Sequence, residues 1–238
     1  MKIFPVVHIN ENNVYNAVRE SVQALNTGVD GLYLTDRHNG IKNTKPIYDA
    51  FVDLLDEIDD KYIGIHVPID SPLFAVRSFA RLLGKVDNSK SVPSGLWVDN
   101  MRGDFLNKSA AIEYRNENPK NKNIRILGGI AFKNTKTFTE DPDMARYETL
   151  WLKDSVDVIL TSGATIDRQP TYEKLVAMKE VAGDKSIAVL GNIPINSLYK
   201  YSGIIDELLV STSVETSPGS CKIDYDKLHE LTDAVHEL

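Results

Sequence analysis

Ile124-Arg125-Ile126-Leu127-Gly128-Gly129-Ile130-Ala131-Phe132-Lys133 (residues 124–133) is the stretch on which the fold turns. Its apolar residues run almost without interruption, as a parallel strand covered on both faces requires, and the run stops at a lysine. After a polar loop, Asp141-Pro142 starts a helix, with the aspartate as N-cap and the proline at the first helical position. Strand and helix make one βα unit, and the unit repeats outward in both directions. Apolar runs at 3–9, 31–35, 62–67, 95–99, 124–131, 156–161, 187–190 and 207–211 each end in a polar or glycine-containing cluster, and each precedes a stretch of helical periodicity. Val14, Ala17, Val18, Val22 and Leu25 form the first helical stripe; Ile47, Phe51, Leu54, Leu55 and Ile58 form the second. Ser71 caps a third helix that closes at Gly84, Thr171 caps one carrying Leu175, Met178 and Val181 that closes at Gly183, and Asp224 opens the last. The segments at 110–114 and 196–201 are the shortest and least amphipathic. Eight units predict an α/β protein of the (β/α)8 or TIM-barrel class, a single domain over residues 1–238, close to the roughly 250 residues typical of that fold. An open doubly wound sheet is also built of βα repeats, but no Gly-x-Gly-x-x-Gly turn follows the first run.

Composition narrows the function. The chain carries 27 Lys and Arg against 34 Asp and Glu, a net charge of -7, and no basic block, so duplex nucleic acid has no electrostatic footprint here. No run reaches the ~18 apolar residues of a membrane span, and residues 1–7 are too short for a signal h-region, so no membrane insertion and a cytoplasmic location are expected. The lone Cys221 excludes an intrachain disulfide framework, and its Gly-Ser-Cys-Lys loop has no histidine nearby in sequence to make it a catalytic thiol. A homo-oligomer is left open.

A barrel of this kind presents its functional groups at the C-terminal ends of its strands. His8, Asp36, His66, Asp99 and Lys133 fall there and are the candidate catalytic residues; His38 lies just beyond. Alternation puts His8 on the side of Val6, and His66 on the side of Gly64, whose missing side chain leaves room beneath the imidazole. Imidazole titrates near neutrality, and a rim carboxylate can orient it for proton transfer. For each histidine the alternative is a backbone carbonyl partner, and for Asp36 it is a pairing with Arg37 or Arg77. His229 and His236 fall on the last helix and read as solvent-facing. Gly128 and Gly129 permit close approach of a ligand to the strand that ends in Lys133, whose ammonium can neutralise a phosphate or carboxylate. No cofactor is predicted. A divalent metal held by His8, His66 and an aspartate stays open, although the first strand reads His-x-Asn rather than His-x-His. For a small anionic or phosphorylated ligand the loops after strands six to eight supply small donors: Thr161 and Gly163, then Gly191 and Asn192, then Ser211, Thr212 and Ser213. Glu215 adds repulsion beside the last group.

Several segments together resemble the BtpA/SgcQ group of barrel proteins. These are Gly-Val-Asp-Gly (28–31) with Leu-Tyr-Leu-Thr-Asp, Gly-Ile-His-Val-Pro-Ile-Asp (64–70), Ile-Leu-Gly-Gly-Ile-Ala-Phe-Lys (126–133), Val-Asp-Val-Ile-Leu-Thr-Ser-Gly (156–163), Leu-Gly-Asn-Ile and Val-Ser-Thr-Ser-Val-Glu. The resemblance spans nearly the whole chain. It implies the barrel fold, carries Lys133, Thr161, Gly163, Gly191, Thr212 and Ser213 as site-like positions, and implies sugar or nucleotide metabolism or, alternatively, photosystem I biogenesis. The chain departs from the family's pattern at Asn134, at 191–193 and at 211–215. Two functions follow as expectations. One is an enzyme acting on a small phosphorylated sugar, nucleoside or nucleotide by glycosyl or phosphoribosyl transfer, hydrolysis or isomerisation. The other is a non-catalytic assembly or stability factor that uses the barrel surface.

Overall fold

The eight apolar runs form eight parallel strands: β1 (Lys2–His8), β2 (Gly31–Thr35), β3 (Tyr62–His66), β4 (Ser94–Val98), β5 (Ile124–Gly129), β6 (Val158–Ser162), β7 (Ser186–Leu190) and β8 (Glu207–Val210). In this computed structural model, which describes residues 1–10, 13–36, 44–58, 61–68, 71–85, 94–103, 108–165 and 168–238, the strands pair in chain order and β8 pairs with β1 to close the barrel. Arg37 and His38 lie outside the described residues.

Around the barrel stand α1 (Val14–Leu25), α2 (Lys45–Glu57), α3 (Pro72–Leu83), α4 (Ala110–Glu117), α5 (Pro142–Leu152), α6 (Tyr172–Ala182) and α7 (Tyr225–His236). Four of their N-caps are the predicted ones: Ser71, Asp141, Thr171 and Asp224 each accept a backbone N–H from three residues on, at 2.9–3.4 Å. Gly183 ends α6 in a left-handed conformation (φ +69°), whereas Gly84 ends α3 at φ −67°, where any residue fits. Between β7 and β8 the chain makes a 3-10 helix, Ile195–Tyr201, in place of an α-helix. Pro194 and the left-handed Gly203 bound that segment and leave no length for a longer helix.

The strand alternation splits the apolar residues into two clusters. Ile3, Val7, Leu32, Leu34, Ile63, Ile65 and their counterparts face the helices, while Phe4, Val6, Tyr33, Trp97, Leu127, Leu160, Ala188 and Leu209 fill the barrel. Aromatic rings occupy much of this interior: Tyr33 meets Phe4 edge-on at 5.9 Å and Trp97 at 6.3 Å, and Trp97 meets Phe132 at 6.2 Å. Inward glycines make space for them. A Cβ on Gly64 would lie 2.1 Å from Tyr33 Cε1, and one on Gly95 would lie 2.0 Å from the Tyr62 hydroxyl. The room beneath His66 is thus filled by the Tyr33 ring. At the N-terminal end Arg125 makes a two-pronged ion pair with the buried Glu207, and the Tyr33 and Tyr62 hydroxyls share a 2.8 Å hydrogen bond. A cleft of about 420 Å³ opens at this N-terminal end, bordered by Lys2, Arg125, Asp206 and Leu238.

Gly64→Ala is expected to cost about 1–3 kcal/mol, because the added methyl overpacks against Tyr33. Urea denaturation measures it. A Gly64→Ala, Tyr33→Leu double variant should lose less than the sum of its single changes, and strict additivity would disprove the contact.

Candidate functional site

The inward parity of each strand continues to its C-terminal end, so the side chains there form the floor of the barrel mouth. On β2 the inward residue is Thr35, not Asp36. Its Oγ1 lies 2.8 Å from His66 Nδ1, and the opposite ring nitrogen, Nε2, lies 3.1 Å from Asp99 Oδ1. The His66 ring also stacks on the Trp97 indole, with centroids 3.9 Å apart and planes 24° from parallel. A hydroxyl, an imidazole and a carboxylate therefore stand in line from β2 to the end of β4, supported from below by an aromatic plane. Burial opposes ionisation of Asp99, but the His66 charge, polar contacts from His66 and Trp97, and the Lys133 ammonium outweigh it and hold the carboxyl below its ordinary range. The arrangement orients an imidazole and keeps its acceptor charged, which is what general acid–base transfer requires.

His8 belongs to a second group. Its Nε2 lies 3.0 Å from Ser211 Oγ, Ser211 Oγ donates to Glu215 Oε1 at 3.2 Å, and the Gly219 N–H donates to Glu215 Oε2 at 2.6 Å. Cys221, which has no histidine near it in sequence, stands beside His8 in space. One ligand atom from each of His8, Glu215 and Cys221 lies within 4.8 Å of the others, and all three residues are buried. Among the described residues this is the group with metal-ligand character; the combination of His8, His66 and an aspartate does not form one.

The remaining predicted positions divide. Asp36 follows the outward parity of Leu32 and Leu34, one residue past the end of β2, and is 3% exposed. Lys133 is half-buried, its N–H donates to Ser162 Oγ at 2.9 Å, and its charge reaches Asp99. The glycines before it serve packing: a Cβ on Gly128 would strike Val156 and Met101, and one on Gly129 would lie 1.9 Å from the Asp99 carbonyl oxygen. Thr161 takes the outward parity of Ile159, with its hydroxyl 3.4 Å from the Ala131 carbonyl. Gly163 lies against the Arg168 carbonyl, 2.1 Å from where its Cβ would be. The Gly191 N–H is used by the Leu209 carbonyl at 3.3 Å, and Asn192 follows it half-buried. The Thr212 and Ser213 hydroxyls, in the 3-10 turn Thr212–Val214, are shielded from solvent and make no hydrogen bond among the described residues.

One buried group escapes a reading by sequence pattern. Lys174 on α6 is 0% exposed, and its ammonium donates to the Ala131 and Ser162 carbonyls, both at 2.8 Å. Glu140 lies 3.9 Å away and the Phe138 ring 4.9 Å away. Lys174 thereby ties the segment that follows β5 to the C-terminal end of β6. Burial pushes its ammonium down to about 8, with Glu140 opposing.

No family model matches this chain, and no curated protein matches it. Solved structures do. Phosphoribosylanthranilate isomerase from Thermotoga maritima is similar over 100% of this chain and 100% of its own, with 10% identity and a TM-score of 0.66. The 3-hexulose-6-phosphate synthase from Salmonella typhimurium covers 99% of this chain and 100% of its own, at 13% identity and 0.61. Thiamine phosphate pyrophosphorylase from Pyrococcus furiosus covers 99% and 96%, at 15% and 0.59. At these identities the likeness establishes the barrel fold and leaves the reaction to be read from the site. Among the described residues no helix is long and apolar enough to cross a membrane.

Two titrations test the electrostatics. The lowered Asp99 carboxyl stabilises the folded state above its ordinary value of 3.8, and that contribution is lost as pH falls through the lower folded value. Asp99→Asn should therefore lose stability at neutral pH and show a shallower decline in acid than the parent protein, measured by denaturant melts across pH. For Lys174 the slope with pH has the same sign, but its window lies in the alkaline range and the neutral form is the one the folded state favours. The folded state holds this proton less tightly than the unfolded chain, so stability relative to Lys174→Met should rise as pH climbs from about 8 towards 10.5. A flat difference over that window would remove the assignment.

Proposed function

We propose that this protein is an enzyme that moves protons on a small phosphorylated sugar, nucleoside or nucleotide bound at the C-terminal mouth of the barrel. The observation that carries this reading is the line from Thr35 through His66 to Asp99. His66 exchanges the proton, Asp99 balances the imidazolium, Thr35 fixes the ring, and Trp97 keeps one face of it dry. Isomerisation needs only a proton taken and returned; glycosyl or phosphoribosyl transfer and hydrolysis need an acceptor in addition. Thr212 and Ser213 support a phosphate at the β8 end of the mouth. A buried hydroxyl without a partner costs about 1–3 kcal/mol, which phosphate oxygens would offset. Lys133 adds a cation across the mouth. The resemblance of several segments to the BtpA/SgcQ barrels, and solved neighbours whose names include phosphorylated compounds, agree with this reading. We take the enzyme to be cytoplasmic and to work as one barrel domain.

A second reading, a surface-acting assembly factor, rests on α5, where Met144, Tyr147 and Leu150 are each at least half exposed on the outside of the barrel.

Titration with inorganic phosphate, ribose 5-phosphate and nucleoside monophosphates, followed by calorimetry, tests the first reading. Saturable binding is expected, weakened about tenfold by Thr212→Val, the loss of one hydrogen bond to a charged group. His66→Ala should abolish turnover of a bound substrate while leaving its affinity within a few-fold. Absence of binding to every member of the series would overturn the proposal.

A further inference from the structure

His8, Glu215 and Cys221 form a cluster that the proton-transfer reading does not use. They come from the end of β1, the turn after β8 and the loop before α7, so only closure of the barrel brings them together. We propose that these three residues bind a divalent cation of borderline softness, with Zn2+ as the ion that suits the donors. The donor set argues for the class. A thiolate and an imidazole disfavour Mg2+ and Ca2+, which take oxygen ligands, and one sulfur, one nitrogen and one carboxylate oxygen are ordinary company for Zn2+. The geometry argues for a shared ion. Zinc bonds of about 2.0–2.3 Å place neighbouring ligand atoms about 3–4 Å apart, and the three atoms here already lie within 4.8 Å of one another. Burial argues in the same direction: His8 is 8%, Glu215 4% and Cys221 7% exposed, so a bound ion is largely withdrawn from bulk water.

The carboxylate is also held in place. Gly219 N–H and Ser211 Oγ each donate to a different oxygen of Glu215, the outer support that orients a metal ligand. On binding, the Cys221 thiol releases its proton to solvent and the sulfur forms the metal bond. Thiolate and carboxylate then neutralise the two positive charges of the ion. Three protein ligands leave a fourth position, as in catalytic rather than structural zinc sites. His8 shares the inward parity of Phe4 and Val6, so the cluster stands at the barrel mouth, and a fourth ligand there would be water or a substrate oxygen.

The test is a Co2+ titration of the full chain followed by absorption spectroscopy. A single ion per chain, with a sulfur-to-cobalt charge-transfer band and the intense visible bands of a tetrahedral site, is the expected result, and Zn2+ should bleach both. Cys221→Ser should remove the charge-transfer band. His8→Ala and Glu215→Gln should each weaken binding by at least about tenfold, with unchanged circular dichroism marking intact folds; Glu215→Gln keeps the shape of the side chain if the others unfold. Zn2+ should also protect Cys221 from iodoacetamide. Weak octahedral spectra, the same in all variants, or alkylation indifferent to Zn2+ would overturn the site and leave Cys221 as a plain thiol beside His8. His66→Ala should bind Co2+ like the parent protein, so the outcome here is separable from that of the phosphosubstrate titration.

Discussion

Everything at the mouth of this barrel depends on how its interior is filled. Eight strands closed at a set radius leave a fixed volume, and inward positions alternate strictly with outward ones. Tyr33 and Tyr62 are too large to be accommodated by every neighbour, and Gly64 and Gly95 give up their side chains to them, while Phe4 and Trp97 pack edge-on against Tyr33. With Tyr33 and Trp97 seated, Thr35, His66 and Asp99 are forced inward on the next layer, where they meet. The Trp97 plane sets the ring of His66, so the packing below and the polar line above are one arrangement read at two heights.

The mouth holds two polar groups of different character. The β2 to β4 side pairs an imidazole with a carboxylate kept ionised and within reach of Lys133, a setting for charge to move. The β8 to β1 side gathers a sulfur, an imidazole and a carboxylate that is doubly held, a setting for charge to be fixed. Between them, after β5 and at the end of β6, the buried Lys174 donates to the Ala131 and Ser162 carbonyls. Burial disfavours its charge, and the two carbonyls and the nearby Glu140 carboxylate offset that in part.

Much of the frame was legible from residues alone. Near-continuous apolar runs and capped helical stripes specify eight βα units, and Ser71, Asp141, Thr171 and Asp224 are caps because a short side-chain oxygen before an amphipathic run has few other uses. The placement of His8, His66 and Asp99 at the mouth was legible because strand parity and rim position are local properties. Thr35 follows from the same parity, two residues after the inward Tyr33, but a threonine at a strand end has no pattern that marks it as a histidine partner. Lys174 was not findable: it occupies the inward face of α6 beside Leu175 and Met178, where a charge breaks the apolar pattern. Gly128 and Gly129 read as room for a ligand, whereas neighbouring chain takes the space.

The sequence by itself determined the eightfold repeat, the closed parallel barrel and the rim at which polar side chains gather, since periodicity and capping act over a few residues. Which of those side chains touch was decided only by tertiary structure. His66 meets Asp99 across one pair of strands, and His8 meets Cys221 across most of the chain length, because joining β8 to β1 brings the two ends of the chain to one edge. A proximity across that seam leaves no trace in local pattern, and the placement of the lone cysteine within 4.8 Å of a histidine is of that kind.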